Sequence, residues 1–151
     1  MRPIILIFFF LAVTFPVHAA PSTKAPLIST AAFWDTLTRE RKIHIIDEVI
    51  KEFKNKGVAI RKEAAFYVDE IDINRNGGDP HLLALPIGDH FKSVAVLYKD
   101  FDNGRDADEM IRESLGEETF QAMQDEGAFE VMQMNYEDWK KEHAATKSQT
   151  K

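Results

Sequence analysis

The chain has 151 residues, a formal net charge of −6 at pH 7 and no cysteine. A chain of this length is expected to fold as one domain, and the lack of cysteine excludes disulfides, a thiol nucleophile and a lipid-anchored cysteine. The negative excess argues against nucleic acid as a partner, because binding to phosphates needs positive charge.

The first nineteen residues have the pattern of a secretory signal peptide. Arg2 gives a positive start, residues 4–13 (IILIFFFLAV) are all apolar, and Pro16 breaks the segment shortly before Ala19. A membrane span needs about 20 apolar residues, so this run is too short to serve as one. The sequence predicts a signal peptide over residues 1–19, cleaved after Ala19 or Ala20, and an exported soluble protein that is periplasmic or secreted.

The first part of the mature chain is predicted to be a flexible leader followed by two helices. Residues 20–29 contain two prolines and two serines, which is typical of a leader, and a first helix begins at Ser29 or Thr30. Thr38 is a preferred N-cap residue, so a second helix is predicted over residues 39–56. Its apolar residues recur at three- and four-residue spacing, as on one helical face: Ile43, Ile46, Val49, Ile50 and Phe53.

The middle of the chain is predicted to alternate between helices and connections. Gly57 ends the second helix, residues 58–61 form an extended connection, and a helix follows over residues 63–73. Residues 74–80 (NRNGGDP) are predicted to be a loop, because Asn, Gly and Pro favour turns. A short helical turn is predicted from His81 to Leu85. The side chains expected to point inward from the 63–73 helix are Phe66, Tyr67, Val68 and Ile71.

Residues 89–101 fit a helix capped by Asp89, but residues 94–98 also fit a strand. A hairpin would need a second strand after the Asp-Asn-Gly turn. Asp106 and Glu109 instead form a capping box, which predicts a helix to Leu115. A last helical region is predicted over residues 117–143, divided or kinked at Gly127, with a disordered tail over residues 144–151.

Together these elements predict an all-α fold. A single small domain over residues 30–143 would contain five or six helices around an aromatic and aliphatic core. The alternative is an α+β fold with one short strand at residues 94–98.

The charges are unevenly distributed along the chain. Residues 39–62 hold eight Lys or Arg and four acids, whereas residues 100–142 hold fourteen acids and four bases. One interpretation is a solvated surface whose two halves attract each other weakly within the fold. The other is head-to-tail association or a cationic partner.

One segment resembles the first half of an EF-hand calcium loop. Asp72, Asn74 and Asn76 place oxygen-bearing side chains at alternate positions, and Gly77 follows. These three residues are therefore candidate calcium ligands. The twelfth position of the loop, which is normally a bidentate glutamate, is Leu83 in this chain. The alternative is an ordinary Asn-Gly turn.

A second acidic segment, residues 100–109, also offers oxygen ligands for a hard cation. Asp100 and Asp102 are the candidate ligands in this segment. The alternative is structural: Asp106 and Glu109 cap a helix, and acids are favourable at a helix N-terminus.

Histidines and methionines give further candidates. His81 and His90, with Asp79 and Asp89 beside them, form a loose constellation for acid–base or metal chemistry. Zinc ligands can also be spaced four residues apart on a helix, although those in this chain fall on a face typical of solvent exposure: Glu40, His44 and Glu48. Four methionines are candidates for Cu(I): Met110, Met123, Met132 and Met134. Met123 and Met132 fall in the apolar pattern of the last helical region, and core packing is the alternative for the methionines.

No pattern in the sequence completes a catalytic site. The preferred hypothesis is a non-catalytic exported protein that binds another protein, of the inhibitor, immunity or chaperone type, with no cofactor. The alternative is a small metal-binding protein, with Ca²⁺ the leading ion, or an enzyme that uses residues 72–90 and 100–109.

Overall fold

A computed structural model describes residues 31–149, with side chains from Phe33 to Ala144. The predicted signal peptide, residues 1–19, and the predicted leader, residues 20–29, lie outside the described residues. The described chain forms the helices α1 (Ala31–Trp34), α2 (Arg39–Asn55), α3 (Ala64–Asn76), α4 (Pro80–Ala84), α5 (Ile87–Leu97), α6 (Ala107–Leu115), α7 (Glu117–Asp125) and α8 (Ala128–Gln149).

The predicted all-α fold is confirmed. Within residues 31–149 the regular structure is helical, apart from one isolated antiparallel bridge between Ala59 and Asp102. The alternative strand at residues 94–98 is wrong, since residues 94–97 belong to α5. The described residues form eight helices rather than the five or six predicted, because the last predicted helix is divided at Gly127, where φ is +68°, and because α1 and α4 are helices of only four and five residues. No helix in the described part of the chain is long and apolar enough to cross a membrane.

Helix α3 lies at the centre of the fold. Its inward side chains are Phe66, Tyr67, Val68 and Ile71, as predicted, and all four are fully buried. Helix α2 packs against α3 with Ile46, Val49 and Ile50, the buried part of the predicted stripe. Helices α5 to α8 complete the core around these two helices. Burial of apolar surface is the main stabilising contribution in such a fold.

Two predicted helix starts are confirmed by their caps. The side-chain oxygen of Thr38 accepts a hydrogen bond from the backbone N–H of Arg41, and Asp106 accepts one from Glu109. The predicted cap at Asp89 is wrong. Helix α5 begins two residues earlier, directly after Pro86, and Asp89 lies in its first turn. Pro86 is the N-cap residue of α5 and has the extended ψ of 142° usual for that position.

Helix α3 extends further than the sequence predicts. The predicted loop began at Asn74, but residues 74–76 are helical. The reason is a contact distant in sequence: the guanidinium of Arg75 is buried and bonds the carboxylate of Asp35, with Nη2 2.6 Å from Oδ2. The loop begins only at Gly77.

Helix α8 continues to Gln149 and so includes most of residues 144–151, for which the sequence predicts a disordered tail. Residues 128–149 contain no glycine or proline to end the helix. Ion pairs between Glu137 and Lys140 and between Asp138 and Lys141, at 2.7 and 2.8 Å, add local support.

Candidate functional site

Every tryptophan and tyrosine of the chain, two and three residues respectively, donates a hydrogen bond to a carboxylate. Three of the five bonds run to carboxylates of α3, a fourth runs to Glu63 at the N-cap of α3, and the fifth runs from α3 to the loop after α5. The pairs are Trp34 with Asp72 (2.6 Å), Trp139 with Asp69 (2.9 Å), Tyr98 with Glu70 (2.9 Å), Tyr136 with Glu63 (2.8 Å) and Tyr67 with Asp100. Since buried Tyr and Trp need a polar partner, these bonds fix how the helices are arranged around α3.

Phe66 is the ring on which this arrangement centres. Its centroid lies 4.8 Å from that of Tyr136, 4.9 Å from Tyr98 and 5.5 Å from both Tyr67 and Trp139, all at steep interplanar angles. Edge-to-face contacts of this kind add to the stabilisation that area burial gives. Helix α8 is therefore held against α3 by the rings of Tyr136 and Trp139.

Charged groups surround these rings. Asp69 accepts three hydrogen bonds from the guanidinium of Arg39 as well as the one from Trp139, and the imidazole Nε2 of His143 lies 3.6 Å from its carboxylate. The ammonium of Lys62 lies 4.8 Å from the ring centroid of Tyr136. Burial lowers the pKa of Lys62, and the nearby Asp100 carboxylate partly opposes this effect. These groups support the packing of α8 rather than forming an open reactive centre.

Glu70, which accepts the hydrogen bond from Tyr98, carries a negative charge that burial disfavours. Burial raises its pKa above the ordinary 4.5, although the hydrogen bond from Tyr98 opposes the rise. The folded protein thus binds the proton of Glu70 more tightly than the unfolded chain, so this residue contributes less stability as the pH rises through its folded pKa.

The substitution Glu70→Gln is expected to raise the free energy of unfolding at pH 7.5 by about 1 kcal/mol, within the range of single favourable charge changes. The amide oxygen can still accept the Tyr98 hydrogen bond, while the desolvated charge is removed. At pH 4 the gain should disappear, because the wild-type carboxyl is then largely protonated. Urea unfolding at both pH values tests this, and a variant that is less stable at pH 7.5 would contradict it.

The candidate calcium residues of the 72–77 segment are found on a helix rather than in a loop. Asp72, Asn74 and Asn76 all belong to α3. The Asp72 carboxylate accepts hydrogen bonds from the Lys42 ammonium at 2.8 Å and from Trp34, which ties α1 and α2 to α3. The helix rises in one direction, so these three side chains are not wrapped around a common point as in a calcium loop.

The second pair of candidates, Asp100 and Asp102, is placed in two different environments. Asp100 is buried and accepts hydrogen bonds from the backbone N–H groups of Arg61 and Lys62, at 3.1 and 2.9 Å, and from the Tyr67 hydroxyl. Asp102 is exposed and pairs with the Arg61 guanidinium at 3.0 Å. Its backbone forms the bridge to Ala59. Both residues join the chain before α3 to the chain after α5.

Within the described residues, no group of three or more His, Asp or Glu side chains is arranged to hold a metal ion. The helix face with Glu40, His44 and Glu48 is exposed, and the Glu48 carboxylate pairs with Lys51 at 2.7 Å. This face lies opposite the apolar stripe of α2, and solvent exposure is what that position indicates.

The two histidines of the predicted acid–base or metal site differ in burial. His81 is exposed, and its backbone N–H is bonded by the Asp79 side chain, which caps α4. His90 is 1% exposed, and neither of its ring nitrogens has a hydrogen-bond partner in the described part of the chain. Burial, helped by the positive charge of Arg75, lowers the pKa of His90 to about 4. The sequence contains the signal for this burial, since His90 lies four residues before Val94 on the inward face of α5.

The methionines also differ in burial. Met110, Met123 and Met132 are buried in the core, whereas Met134 is 63% exposed. Val131, three residues before Met134, is 42% exposed. Core packing accounts for the first three, but not for Met134.

We use the name α8 outer face for five residues of α8 that share one side of the helix: Glu130, Val131, Met134, Glu137 and Asp138. Their spacing of one, four, seven and eight residues places them together. All five are exposed, and the opposite side of α8 carries the buried Met132 and the half-buried Tyr136 and Trp139. Two apolar side chains thus lie among carboxylates on the solvent side of a helix whose other side is anchored to the core.

No protein-family model, curated protein or solved structure matches this chain.

Proposed function

We propose that this chain is an exported, non-catalytic protein-binding module of the inhibitor, immunity or chaperone type. The proposal of export is supported by the signal-peptide pattern of residues 1–19: a basic start, a short apolar run and small residues at Ala19 and Ala20. The proposal of protein binding is supported by the α8 outer face.

The exposure of Met134 and Val131 is the observation that carries the binding proposal. Removing apolar surface from water is favourable, so leaving these side chains exposed costs free energy. Neighbouring exposed apolar side chains rimmed by polar residues often mark interaction sites. A methionine is suited to such a site, since its flexible and polarisable side chain adapts to different partners.

The rigidity of α8 supports the same function. Tyr136 and Trp139 hold its inner side through ring contacts with Phe66 and hydrogen bonds to Glu63 and Asp69. A binding face on a firmly held helix needs less ordering when a partner binds, which improves affinity.

Two of the carboxylates on which the metal or enzyme alternative depends already have partners within the fold. Asp72 is bonded to Lys42 and Trp34, and Asp100 is enclosed by two backbone N–H groups and a tyrosine hydroxyl. A cation would have to displace these donors. No specific contact favours that alternative over protein binding.

Photo-crosslinking in cells tests the proposal. A photoreactive phenylalanine analogue at Met134 is expected to give a discrete adduct with one other protein. The same analogue at Ile73, which is 64% exposed on α3, is the matched control and is expected to give none. N-terminal sequencing of the crosslinked chain should begin at Ala20 or Pro21, and recovery from the cytoplasm with the N-terminus intact would contradict export. Absence of a protein adduct from Met134, Val131, Ile73 and Phe33 alike would overturn the binding function.

A further inference from the structure

The acidic surface beside the α8 outer face is more extensive than that face alone. The fourteen residues 117–130, which form α7 and the first turn of α8, contain five acids and no lysine or arginine. All five acids are exposed: Glu117, Glu118, Asp125, Glu126 and Glu130. Glu117 is close to Arg112, at 3.3 Å, and Asp125 accepts a hydrogen bond from Gln121. Of these acids, Glu130 shares the α8 outer face with Val131 and Met134, and Asp125 and Glu126 directly precede α8 in the chain.

The charge changes along α8. Beyond Met134, Glu137 and Asp138 are each paired with a lysine one turn later, Lys140 and Lys141. These pairs offset the negative charge locally. The negative field is thus concentrated at the α7 end of the outer face, and the apolar pair lies between that end and the nearly neutral end.

We propose that this surface binds a cationic amphipathic helix of the partner protein, with apolar side chains seated on Val131 and Met134 and with lysines or arginines toward α7. The proposal rests on the protein-binding function proposed above and specifies the partner. The acidic surface attracts a cationic helix and repels an acidic one. The apolar contacts supply affinity that salt does not screen. An anionic membrane surface would be repelled by the same field.

A second copy of this chain is a poorer occupant, although its α2 region is basic. Five of the eight bases of residues 39–62 already pair with acids of their own chain. The pairs are Arg39 with Asp69, Lys42 with Asp72, Lys51 with Glu48, Lys56 with Glu52 and Arg61 with Asp102. Binding to another copy through α2 would compete with these pairs, whereas a foreign cationic helix brings its charges without a partner.

The test uses the purified protein and two labelled synthetic helical peptides. Both have leucines at positions i, i+3, i+4 and i+7; one carries lysine and the other glutamate at the remaining positions. Fluorescence anisotropy is expected to show binding of the lysine peptide, weakening with added salt, and no binding of the glutamate peptide. Met134→Ser should weaken binding by about tenfold, since a buried methionine contributes a comparable free energy. Ile73→Ser, the exposed control, should leave it unchanged.

The charge contribution is tested by the triple variant Glu118→Gln, Glu126→Gln and Glu130→Gln. It should weaken binding and make it less sensitive to salt, with unchanged circular dichroism because all three side chains are exposed. Equal binding of the lysine peptide by wild type, Met134→Ser and the triple variant would overturn this surface. A protein adduct at Ile73 instead of Met134 would also overturn it, while leaving the proposed protein-binding function intact.

Discussion

Replacing Asp100 by alanine is expected to lower the free energy of unfolding by about 3 kcal/mol, because it leaves buried donors without an acceptor. The carboxylate binds the backbone N–H groups of Arg61 and Lys62 and the hydroxyl of Tyr67. Asp100 is 3% exposed, so water replaces it poorly. Urea unfolding at pH 7 measures the loss.

Asp102→Ala is the matched control. Asp102 lies two residues later in the same loop but is exposed, and its ion pair with Arg61 joins two side chains in solvent. Such surface pairs contribute about 0–1 kcal/mol, so the control should change stability by less than 1 kcal/mol. If Asp100 and Asp102 instead held a divalent cation, both variants would lose stability equally and EDTA would lower the melting temperature of the wild type. Either result would contradict the structural role of Asp100.

The helices themselves were largely predictable because their determinants are local. The stripe of α2 depends on residues three or four apart, and the caps at Thr38 and Asp106 bond N–H groups three residues later. Such patterns are contained in a short window of sequence. The aromatic and aliphatic core followed from the same periodicity, since its inward positions repeat along each helix.

The roles of the polar residues were not predictable, because their partners are far away in sequence. Asp100 resembles a calcium ligand when only residues 100–109 are considered, but it accepts a hydrogen bond from Tyr67, 33 residues earlier. Asp72 also resembles a calcium ligand in its local sequence, but its partners Lys42 and Trp34 are 30 and 38 residues away. The end of α3 was misplaced for this reason too, because Arg75 is held by Asp35. The sequence identifies a carboxylate as a possible ligand or hydrogen-bond acceptor, but it does not identify the group that the carboxylate binds.

The exposure of Met134 could have been predicted from local spacing. The sequence places it near the apolar residues of the last helix, and core packing was the preferred interpretation for the methionines. Met132 and Met134 are two residues apart, which puts them on nearly opposite sides of an α-helix. Once Met132 is inside, Met134 has to face outward, so the burial of one residue decides the environment of the other.

Acidification from pH 6.5 to pH 4 is expected to destabilise the wild type by about 3 kcal/mol through His90 alone, which corresponds to the fall of its pKa from 6.5 to about 4. Through most of this interval His90 is protonated in the unfolded chain and neutral in the folded protein. The stability that the neutral imidazole provides is therefore complete above pH 6.5 and is lost as the pH falls toward 4. The physical causes are burial first and then the positive charge of the nearby Arg75.

His90→Leu should remove this loss and leave stability at pH 7 equal or higher, because the two ring nitrogens have no hydrogen-bond partner in the described residues and an apolar side chain of similar size fits an apolar site. His44→Leu, at an exposed position of α2, is the control and should follow the wild type at every pH. Acid also weakens carboxylate pairs such as that of Asp35 with Arg75, but these are common to all three proteins and cancel in the difference. The decisive measurement is the free energy of unfolding of the three proteins between pH 4 and pH 8. Parallel curves for wild type and His90→Leu would mean that His90 gains a proton in the folded state as readily as in the unfolded one, which burial without a partner does not allow.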